Sequence, residues 1–426
     1  MSFALGLLPV TLLLLGFPIF LVLLVSVSVA LIFFMHVPLS ALPQNLYGAI
    51  DAFPLLAIPF FIYAGELMGR GSVAQRLVDM VQAGVGRVPG SLGVTTVGTS
   101  AIFGAISGAS AATVATVGRI MVPAMRRAGY PETFNAGLIT AVGAIDIIIP
   151  PSIPMIVYGA AAQESVPRLY AAGVLPGLLI AGLLALYVVW FARRHGIGAA
   201  ESFDLRRFAR ALGRGVWALG APFIILGGIY GGVFSPTEAA AVACVYAAFV
   251  TRLVYRDIPW KEIVAAAGVT AVFTSQLLII VACASVFSWL LTVNQVPAAL
   301  VGWIGSLDLS AWMILAALNV LLLAVGCFID PLSAILVLTP LLIPIVKGAG
   351  IDTVHFGIVV TVNLAIGLFH PPFGINIFVA QSVLGLKLPV IYRGILPFIV
   401  LYLAALVLIT YVPEISLAGV RLFLGH

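Results

Sequence analysis

Six helix-interrupting residues of this chain recur at one constant spacing along the sequence. Each of them is a proline or a glycine, and the same residue type occurs again at the later position of the pair. The matching pairs are Pro123 and Pro344, Gly129 and Gly350, Pro150 and Pro371, Pro151 and Pro372, Gly173 and Gly394, and Pro176 and Pro397. We call this shared spacing, the separation between Pro123 and Pro344, the repeat offset. A single offset shared by so many residues that break helices indicates an internal duplication, so the sequence predicts two copies of one structural plan.

Most of the chain is apolar enough to lie within a lipid bilayer. Apolar residues make up 62% of the 426 positions, charged residues make up 8%, and the mean hydropathy is +1.22. In lipid every backbone polar group must be satisfied internally, so only helices and closed β-barrels span membranes. The apolar runs here are far longer than the short alternating segments of a membrane β-barrel. We therefore predict an all-α polytopic membrane protein.

The net charge and the cysteines argue against several other classes. Lys and Arg mark the cytoplasmic loops of a membrane protein, so a formal net charge of +5 does not indicate nucleic acid as a partner. Cys244, Cys283 and Cys327 stand singly in apolar runs, without the close spacing of a metal or redox site. We interpret them as small core residues and predict no cofactor.

The positions of the basic residues predict how the two copies are oriented. We place the N-terminus outside the membrane and let each copy cross five times. On this topology only Arg168, Lys347 and Arg421 of the 20 basic residues fall outside, as the positive-inside rule requires. An odd number of crossings inverts the second copy relative to the first. Inverted repeats with broken helices are typical of secondary transporters.

The apolar runs and their interruptions divide the chain into six segments. We predict a fixed scaffold with one amphipathic arm in each copy, a moving transport domain in two halves, a linker and a tail. The scaffold occupies 1–90 and 215–308, the transport domain occupies 91–192 and 309–412, the cytoplasmic linker occupies 193–214, and the C-terminal tail occupies 413–426. Sliding of the transport domain along the scaffold would give alternating access by an elevator mechanism.

Each half of the transport domain is predicted to hold a re-entrant helical hairpin and a helix broken by a Pro-Pro pair. The hairpins occupy 91–128 and 309–349, and the broken helices occupy 132–165 and 354–385. Each proline removes a backbone donor and frees an upstream carbonyl, which must be buried in protein, wetted or bound to an ion. The hairpin tips carry glycine and hydroxyl residues that can face these breaks. Two such pairs predict two cation sites, and oxygen ligands without a cage of carboxylates suit sodium.

Several separate motifs resemble one known family over almost the whole chain. They are GAISGAS at 104–110, IPPSIPMIVYG at 149–159, PTEAAAVA at 236–243 and NLAIGLFHPPFGIN at 363–376. They look like the DctM-type large membrane subunit of the TRAP transporters (tripartite ATP-independent periplasmic). The resemblance implies a sodium-driven elevator importer of organic acids in the bacterial inner membrane, with a periplasmic N-terminus. It also implies two partners, a small four-helix membrane subunit and a periplasmic substrate-binding protein.

The repeat and the resemblance together predict which residues form the sites. We expect the substrate, a carboxylate or sugar acid, to be bound by Ser107, Ser152 and Asp330. The candidate sodium ligands are Gly104, Ser107, Ser110, Ala144 and Pro150 in the first copy, and Gly326, Asp330, Ser333, Asn363, Gly367 and His370 in the second. The chain departs from the usual family pattern at two positions beside these sites, where it carries Asp146 and His370.

Some of these residues also have a structural interpretation. Asp330 could cap the returning half-helix, and Asn363 could join neighbouring helices. Asp146 is either functional or satisfied by an internal hydrogen bond, and His370 is either titratable or a packing residue. Outside these sites, Glu66 and Glu238 lie in the predicted scaffold, where we expect contact with a partner subunit.

Three other functions stay open at this stage. A self-sufficient sodium–carboxylate transporter of similar repeat architecture is the nearest alternative, and dependence on a binding protein would separate the two. A channel-like subunit would keep the broken helices without coupling. An intramembrane hydrolase would use Ser107 as nucleophile and His370 as base. No group that would orient the base is evident, so we predict that the protein is not an enzyme.

Overall fold

The computed structural model describes residues 3–35, 38, 40–198 and 204–425, and within these ranges it contains helices and no β-strand. The α-helices of the first copy are α1 (Leu8–Leu14), α2 (Ile19–Phe34), α3 (Ala41–Ile50), α4 (Ala57–Arg70), α5 (Val73–Val85), α6 (Ser91–Ser107), α7 (Ser110–Arg127), α8 (Glu132–Val142), α9 (Ile153–Ala162) and α10 (Val166–Arg194). Those of the second copy are α11 (Leu205–Tyr230), α12 (Pro236–Phe249), α13 (Trp260–Val293), α14 (Val296–Ser306), α15 (Ala311–Gly326), α16 (Pro331–Gly348), α17 (Thr353–Gly367), α18 (Ile375–Leu384), α19 (Leu388–Tyr411) and α20 (Glu414–Leu424). Short 3₁₀ segments at Phe53–Leu56 and Gly143–Ile147 and π-helical segments at Phe3–Leu7 and Val250–Val254 complete the helical elements.

Helix boundaries repeat at the spacing that the prolines and glycines predict. Helix α16 begins and ends one repeat offset after α7, and α17 begins one repeat offset after α8. The two hairpins and the two breaks at Pro150-Pro151 and Pro371-Pro372 are therefore confirmed as a duplicated plan. Both Pro-Pro peptide bonds are cis.

The two copies are interleaved and do not form separate domains. Helix α7 of the first copy packs on α18 of the second, and α16 of the second packs on α9 of the first. In the same way α8 packs on α19, and α10 packs on α17. Each contact is matched by one in which the two copies exchange roles, as expected for a pseudo-twofold arrangement. The inversion of the copies across the membrane stays a prediction.

The predicted membrane character agrees with the lengths of the helices. Six helices in the described ranges are long and apolar enough to cross a bilayer, namely α10, α11, α12 with its π-helical extension, α13, α16 and α19. Helix α3 and the segment Phe53–Arg70 form a seventh candidate that is bent by 57°. The remaining apolar helices, including those flanking the Pro-Pro breaks, are too short to cross alone. The chain is thus an all-α polytopic membrane protein, as predicted.

The linker and two helices, α3 and α20, differ from the sequence-based boundaries. The linker is shorter than 193–214, because α10 continues to Arg194 and α11 already begins at Leu205. Arginine is a good helix former, so the basic stretch after residue 205 extends the apolar span. Helix α3 was not predicted, since its ten residues include a proline and a glycine.

The C-terminal segment also contains a helix that was expected to be a tail. Helix α20 packs along α10, and a side chain on Gly419 would collide with the backbone carbonyl of Ala171. This small residue allows the close approach of α20 to α10.

The two hairpins differ in how tightly they close. Helices α6 and α7 pack along each other, whereas α15 packs mainly on α17. The turn of the first hairpin uses Gly108 with a φ of +59°, a left-handed conformation that glycine adopts without strain. The second hairpin turns through Cys327–Asp330, where Asp330 caps α16.

Candidate functional site

The tip of the first hairpin lies directly against the 3₁₀ segment that precedes the first Pro-Pro break. A Cβ atom on Gly104 would lie 2.7 Å from Cγ of Asp146 and 2.8 Å from its Cα. Real side chains do not tolerate such distances, so glycine at 104 makes room for the carboxylate. Helices α6 and α7 therefore bring the tip within contact of Asp146.

Asp146 is fully buried, and only one of its carboxylate oxygens has a partner among the described residues. Thr113 donates a hydrogen bond to Oδ2, while Oδ1 receives no hydrogen bond from any described residue. The internal hydrogen bond of the structural interpretation is thus present for one oxygen, and a functional role of Asp146 stays a prediction. A buried carboxylate oxygen without a donor is costly and is available to a cation or a proton.

Ser110 connects the first site to the second copy. Its Oγ lies 2.8 Å from Nδ2 and 3.0 Å from Oδ1 of Asn376 on α18. Asn376 Nδ2 also donates to the carbonyl of Thr140, at 3.2 Å, near the end of α8. Among the predicted ligands, Ala144 and Pro150 are buried in the same region.

The two serines predicted to bind substrate are both buried. Ser152 is the N-cap of α9, and its Oγ donates to the carbonyl of Ile147 at 2.6 Å. Ser107 ends α6 and is buried, and its backbone lies so close to Gly65 of α4 that a Cβ there would be 2.8 Å from Ser107 Cα. Ser107 therefore marks the contact between the first hairpin and the predicted scaffold.

In the second site the hairpin and the broken helix meet through two glycines. A Cβ on Gly326 would lie 3.4 Å from Cα of Gly367, so the backbones of α15 and α17 are in contact. Asp330 accepts hydrogen bonds from the backbone of Leu332 and Ser333, both at 3.1 Å. Its capping role is therefore present, and it leaves the other carboxylate oxygen to further ligands.

Three polar residues of the second site have mixed environments. Ser333 is fully buried, and its Oγ has no partner among the described residues. Asn363 donates to Asn319 Oδ1 at 2.7 Å and to the carbonyl of Val359 at 2.8 Å, whereas its own Oδ1 receives no donor from the described part of the chain. Nδ1 of His370 lies 2.6 Å from the carbonyl oxygen of Pro371, so this nitrogen donates.

The two sites differ in accessibility. Gly104, Ser110 and Asp146 of the first site are buried, whereas the second tip carries Phe328, which is 69% exposed, opposite Phe373, which is 56% exposed. Asp330 is half-buried at this open tip. In the described ranges no hydrogen bond joins Asp330 to Ser107 or Ser152. Their shared crevice therefore stays a prediction.

Sequence reasoning missed three side chains that complete these sites, Thr113, Asn319 and Asn376. Thr113 lies one helical turn after Ser110, and that spacing could have placed it on the same face of α7. Asn319 and Asn376 belong to the second copy, and the positions one repeat offset before them hold Gly98 and Met155. The repeat therefore gave no signal for either residue.

Two further predictions can be compared with the side-chain contacts. The hydrolase alternative needs Ser107 and His370 in contact, but the described partners of His370 are Pro371 and Cys327. Glu66 pairs with Arg70 at 2.8 Å, and Glu238 closes a capping box with Ser235 at the start of α12. Both glutamates are thus held within their own segments, and their contact with a partner subunit stays a prediction.

Comparison with known proteins gives consistent matches over almost the full length. The profile of the family described as "Tripartite ATP-independent periplasmic transporter, DctM component" matches residues 7–415. The C4-dicarboxylate TRAP transporter large permease protein of Pseudomonas aeruginosa is 41% identical over 92% of this chain and 92% of its own length. The ectoine/5-hydroxyectoine TRAP transporter large permease protein of Ruegeria pomeroyi is 37% identical over 96% of each chain.

Among solved structures, the YdaH transporter of Alcanivorax borkumensis has a similar fold. The TM-score is 0.64, and the match covers 98% of this chain and 99% of that chain. The sequence identity is 16%, so this likeness concerns the fold alone.

Proposed function

Because the chain belongs to the DctM component family of the tripartite ATP-independent periplasmic transporters, we propose that it imports a small organic acid with sodium as the coupling ion. As a TRAP large permease it is a membrane transporter component and not an enzyme. The proposal adds the coupling ion, the substrate class, the elevator motion and the partners. Sodium is cargo here, bound and released in each cycle.

The observation that carries the proposal is the presence, on the hairpins and broken helices, of buried oxygens that receive no hydrogen bond from the described residues. They are Asp146 Oδ1 in the first site and Ser333 Oγ and Asn363 Oδ1 in the second. Burial of such atoms is costly unless they bind something. Carboxylate, hydroxyl and amide oxygens are hard ligands, which supports a cation such as sodium at each site.

The arrangement of helices supports motion of one unit against another. We propose that α6–α10 and α15–α19 form the moving transport domain, and that α1–α4 and α11–α13 form the scaffold. The close contact of Ser107 with Gly65 of α4 lies on this boundary. Small residues at such a boundary leave few interlocking side chains, which favours sliding.

The substrate is proposed only as a chemical class. The two relatives described above are named for C4-dicarboxylates and for ectoine. Their sequence identities to this chain are similar, 41% and 37%, so the identities do not favour one of these substrates. Both kinds of compound carry a carboxylate, which the helix N-termini at the hairpin tips could bind. We therefore propose a small carboxylate-bearing solute delivered by a periplasmic binding protein. The small membrane subunit would complete the permease in the inner membrane, with the N-terminus of this chain on the periplasmic side.

The test is reconstitution in proteoliposomes with the small subunit and the binding protein loaded with its ligand. We expect uptake with an inward sodium gradient and none when choline replaces sodium outside. We also expect no uptake by this chain alone. Undiminished uptake in choline would overturn the sodium coupling, and robust transport of free solute by this chain alone would favour the self-sufficient alternative.

A further inference from the structure

We propose that an arginine-lined groove between α5 and α11 binds the phosphate of an anionic phospholipid headgroup. The groove has a volume of about 540 Å³, and none of its lining residues belongs to a hairpin tip. Its lining includes Gln75, Arg76, Asp79, Arg207, Arg210 and Arg214. The proposal is independent of the transport mechanism, since it concerns how the amphipathic arm α5 is held.

The groove is formed because the two helices approach closely at glycines. A Cβ on Gly215 would lie 3.3 Å from Sδ of Met80, and one on Gly84 would lie 3.2 Å from the ring of Phe208. The arginines of α11 line the groove beside these contacts. Arg207, Arg210 and Arg214 follow one another at intervals of about one helical turn, so they share one stripe of the helix.

The electrostatic balance of the groove is positive. Arg76, Arg210 and Arg214 line it, and Asp79 is the one acidic side chain among its described lining residues. Arg207 also lines the groove but already has an interaction partner, so the charge available to a ligand comes from the other three arginines. Asp79 already accepts a hydrogen bond from Gln75, at 2.9 Å. Asp257, at the edge of α5, accepts from the backbone of Ser72 at 2.6 Å. The remaining positive charge favours an anionic ligand.

One arginine is held in place before any ligand binds. The guanidinium of Arg76 donates to Ser72 Oγ at 2.8 Å and lies 3.9 Å from the ring centroid of Tyr255. The hydroxyl of Tyr255 in turn donates to the carbonyl of Arg214 at 2.9 Å. A planar guanidinium fixed in this way can bind phosphate through two parallel hydrogen bonds with little loss of side-chain entropy.

The position of the groove favours a lipid over a free anion. The arginines lie in the first turns of α11, which is a candidate membrane span, and Trp217 follows Arg214 by one turn and is 42% exposed. Tryptophan is enriched at the headgroup level of bilayers, and basic pockets beside membrane helices bind anionic headgroups. The exposed apolar side chains of Leu212 and Val216 on α11 offer a surface for acyl chains.

The experiment measures lipid retention by the full-length protein purified in mild detergent. Phosphatidylglycerol, phosphatidylcholine and inorganic phosphate are titrated separately, and bound lipid is counted by native mass spectrometry. The test variant carries Arg210→Gln and Arg214→Gln. The matched control carries Arg193→Gln and Arg393→Gln, which removes two arginines outside the groove.

We expect saturable binding of phosphatidylglycerol to the wild type and about 25-fold weaker binding to the groove variant, which is about five-fold for each arginine removed. The control should stay within about two-fold of wild type, and the pair Arg210→Lys and Arg214→Lys should retain binding because the charge is kept. Thermal unfolding without added lipid checks that each variant folds. If the double glutamine variant fails to fold, Arg210→Gln and Arg214→Gln are measured singly, with about five-fold weaker binding expected of each.

Several outcomes would overturn the proposal. Equal loss in the control would show a general effect of charge, and equal binding of phosphatidylcholine would remove the role of the anion. Displacement of phosphatidylglycerol by millimolar inorganic phosphate would assign the groove to a free anion. Loss of bound lipid when the purified small subunit is added, without loss of the complex, would assign it to the protein partner.

Discussion

Asn376 on α18 of the second copy is hydrogen-bonded to Ser110 at the start of α7 in the first copy, with 2.8 Å between Asn376 Nδ2 and Ser110 Oγ. Both side chains are buried, and the same amide reaches the carbonyl of Thr140 near the end of α8. One side chain therefore joins the first hairpin, the first broken helix and the second broken helix. The two halves of the proposed transport domain are thus connected beside the first proposed ion site.

Ser110→Ala should destabilise the protein by about 1–3 kcal/mol, because it leaves a buried amide with fewer partners. The measurement is the free energy of unfolding in detergent micelles. The matched control is Ser26→Ala, since Ser26 is also buried but bonds to the carbonyl of Val22 in its own helix, at 2.7 Å. Equal losses of unfolding free energy in the two variants would mean that the hydrogen bond between the copies stabilises the protein no more than a hydrogen bond within one helix.

Gly104→Ala should destabilise the first site by about 1–3 kcal/mol, because the added methyl group would collide with Asp146. Uptake and thermal stability should both fall. Gly182→Ala on α10 is the control, since a Cβ there meets nothing within 4 Å and alanine favours the helix. The double change Gly104→Ala with Asp146→Ala should recover part of the stability, and an additive loss would contradict the proposed clash.

Asp146→Asn should raise the sodium concentration needed for half-maximal uptake by about ten-fold, as for loss of one interaction with a charged group. The asparagine can still accept the hydrogen bond of Thr113, so the packing at α7 is kept. Uptake is measured against sodium in the reconstituted three-component system. Asp308→Asn, at an exposed position, serves as the control. An unchanged sodium dependence would remove Asp146 from the proposed ion site.

The repeat made much of the fold predictable, because prolines and glycines leave signals that do not depend on tertiary contacts. The breaks at Pro150-Pro151 and Pro371-Pro372 follow from single positions in the sequence, and the equal spacing of the limits of α7 and α16 agrees with the repeat. Helix α20 was not predictable in this way. Its docking depends on Gly419 meeting the backbone of Ala171, a contact between segments far apart in the chain.

In the candidate site the hairpin tips and the breaks were predictable from the sequence. Gly104, Ser110, Gly326 and Gly367 were expected there, and the structure places each of them in a hairpin or a broken helix. Their role as sodium ligands stays a prediction. Asn376 has no counterpart in the first copy and reaches its partner across the interface between copies. A contact of that kind depends on the packing of α18 on α7. The residue pattern within a single helix does not predict such packing.

Variants of Ser107, Ser152 and Asp330 can separate substrate binding from the helix-capping roles of Ser152 and Asp330. Ser107→Ala should weaken apparent substrate affinity roughly ten-fold, as expected when one hydrogen bond to a charged group is lost. Ser152→Ala removes the N-cap of α9 and should also cost about 0.5–2 kcal/mol of stability. Unfolding measurements on each variant are therefore needed beside the uptake measurements.

Asp330→Asn is the most informative of the three changes, because asparagine is as good an N-cap as aspartate. The bonds from Leu332 and Ser333 can be kept while the charge is removed. If Asp330 acts only as a cap, Asp330→Asn should behave as wild type and Asp330→Ala should lose stability. If it binds sodium or a substrate hydroxyl, Asp330→Asn should reduce uptake more than Ser107→Ala at unchanged stability. We expect the second result, and wild-type kinetics in Ser107→Ala, Ser152→Ala and Asp330→Asn together would place the substrate site elsewhere.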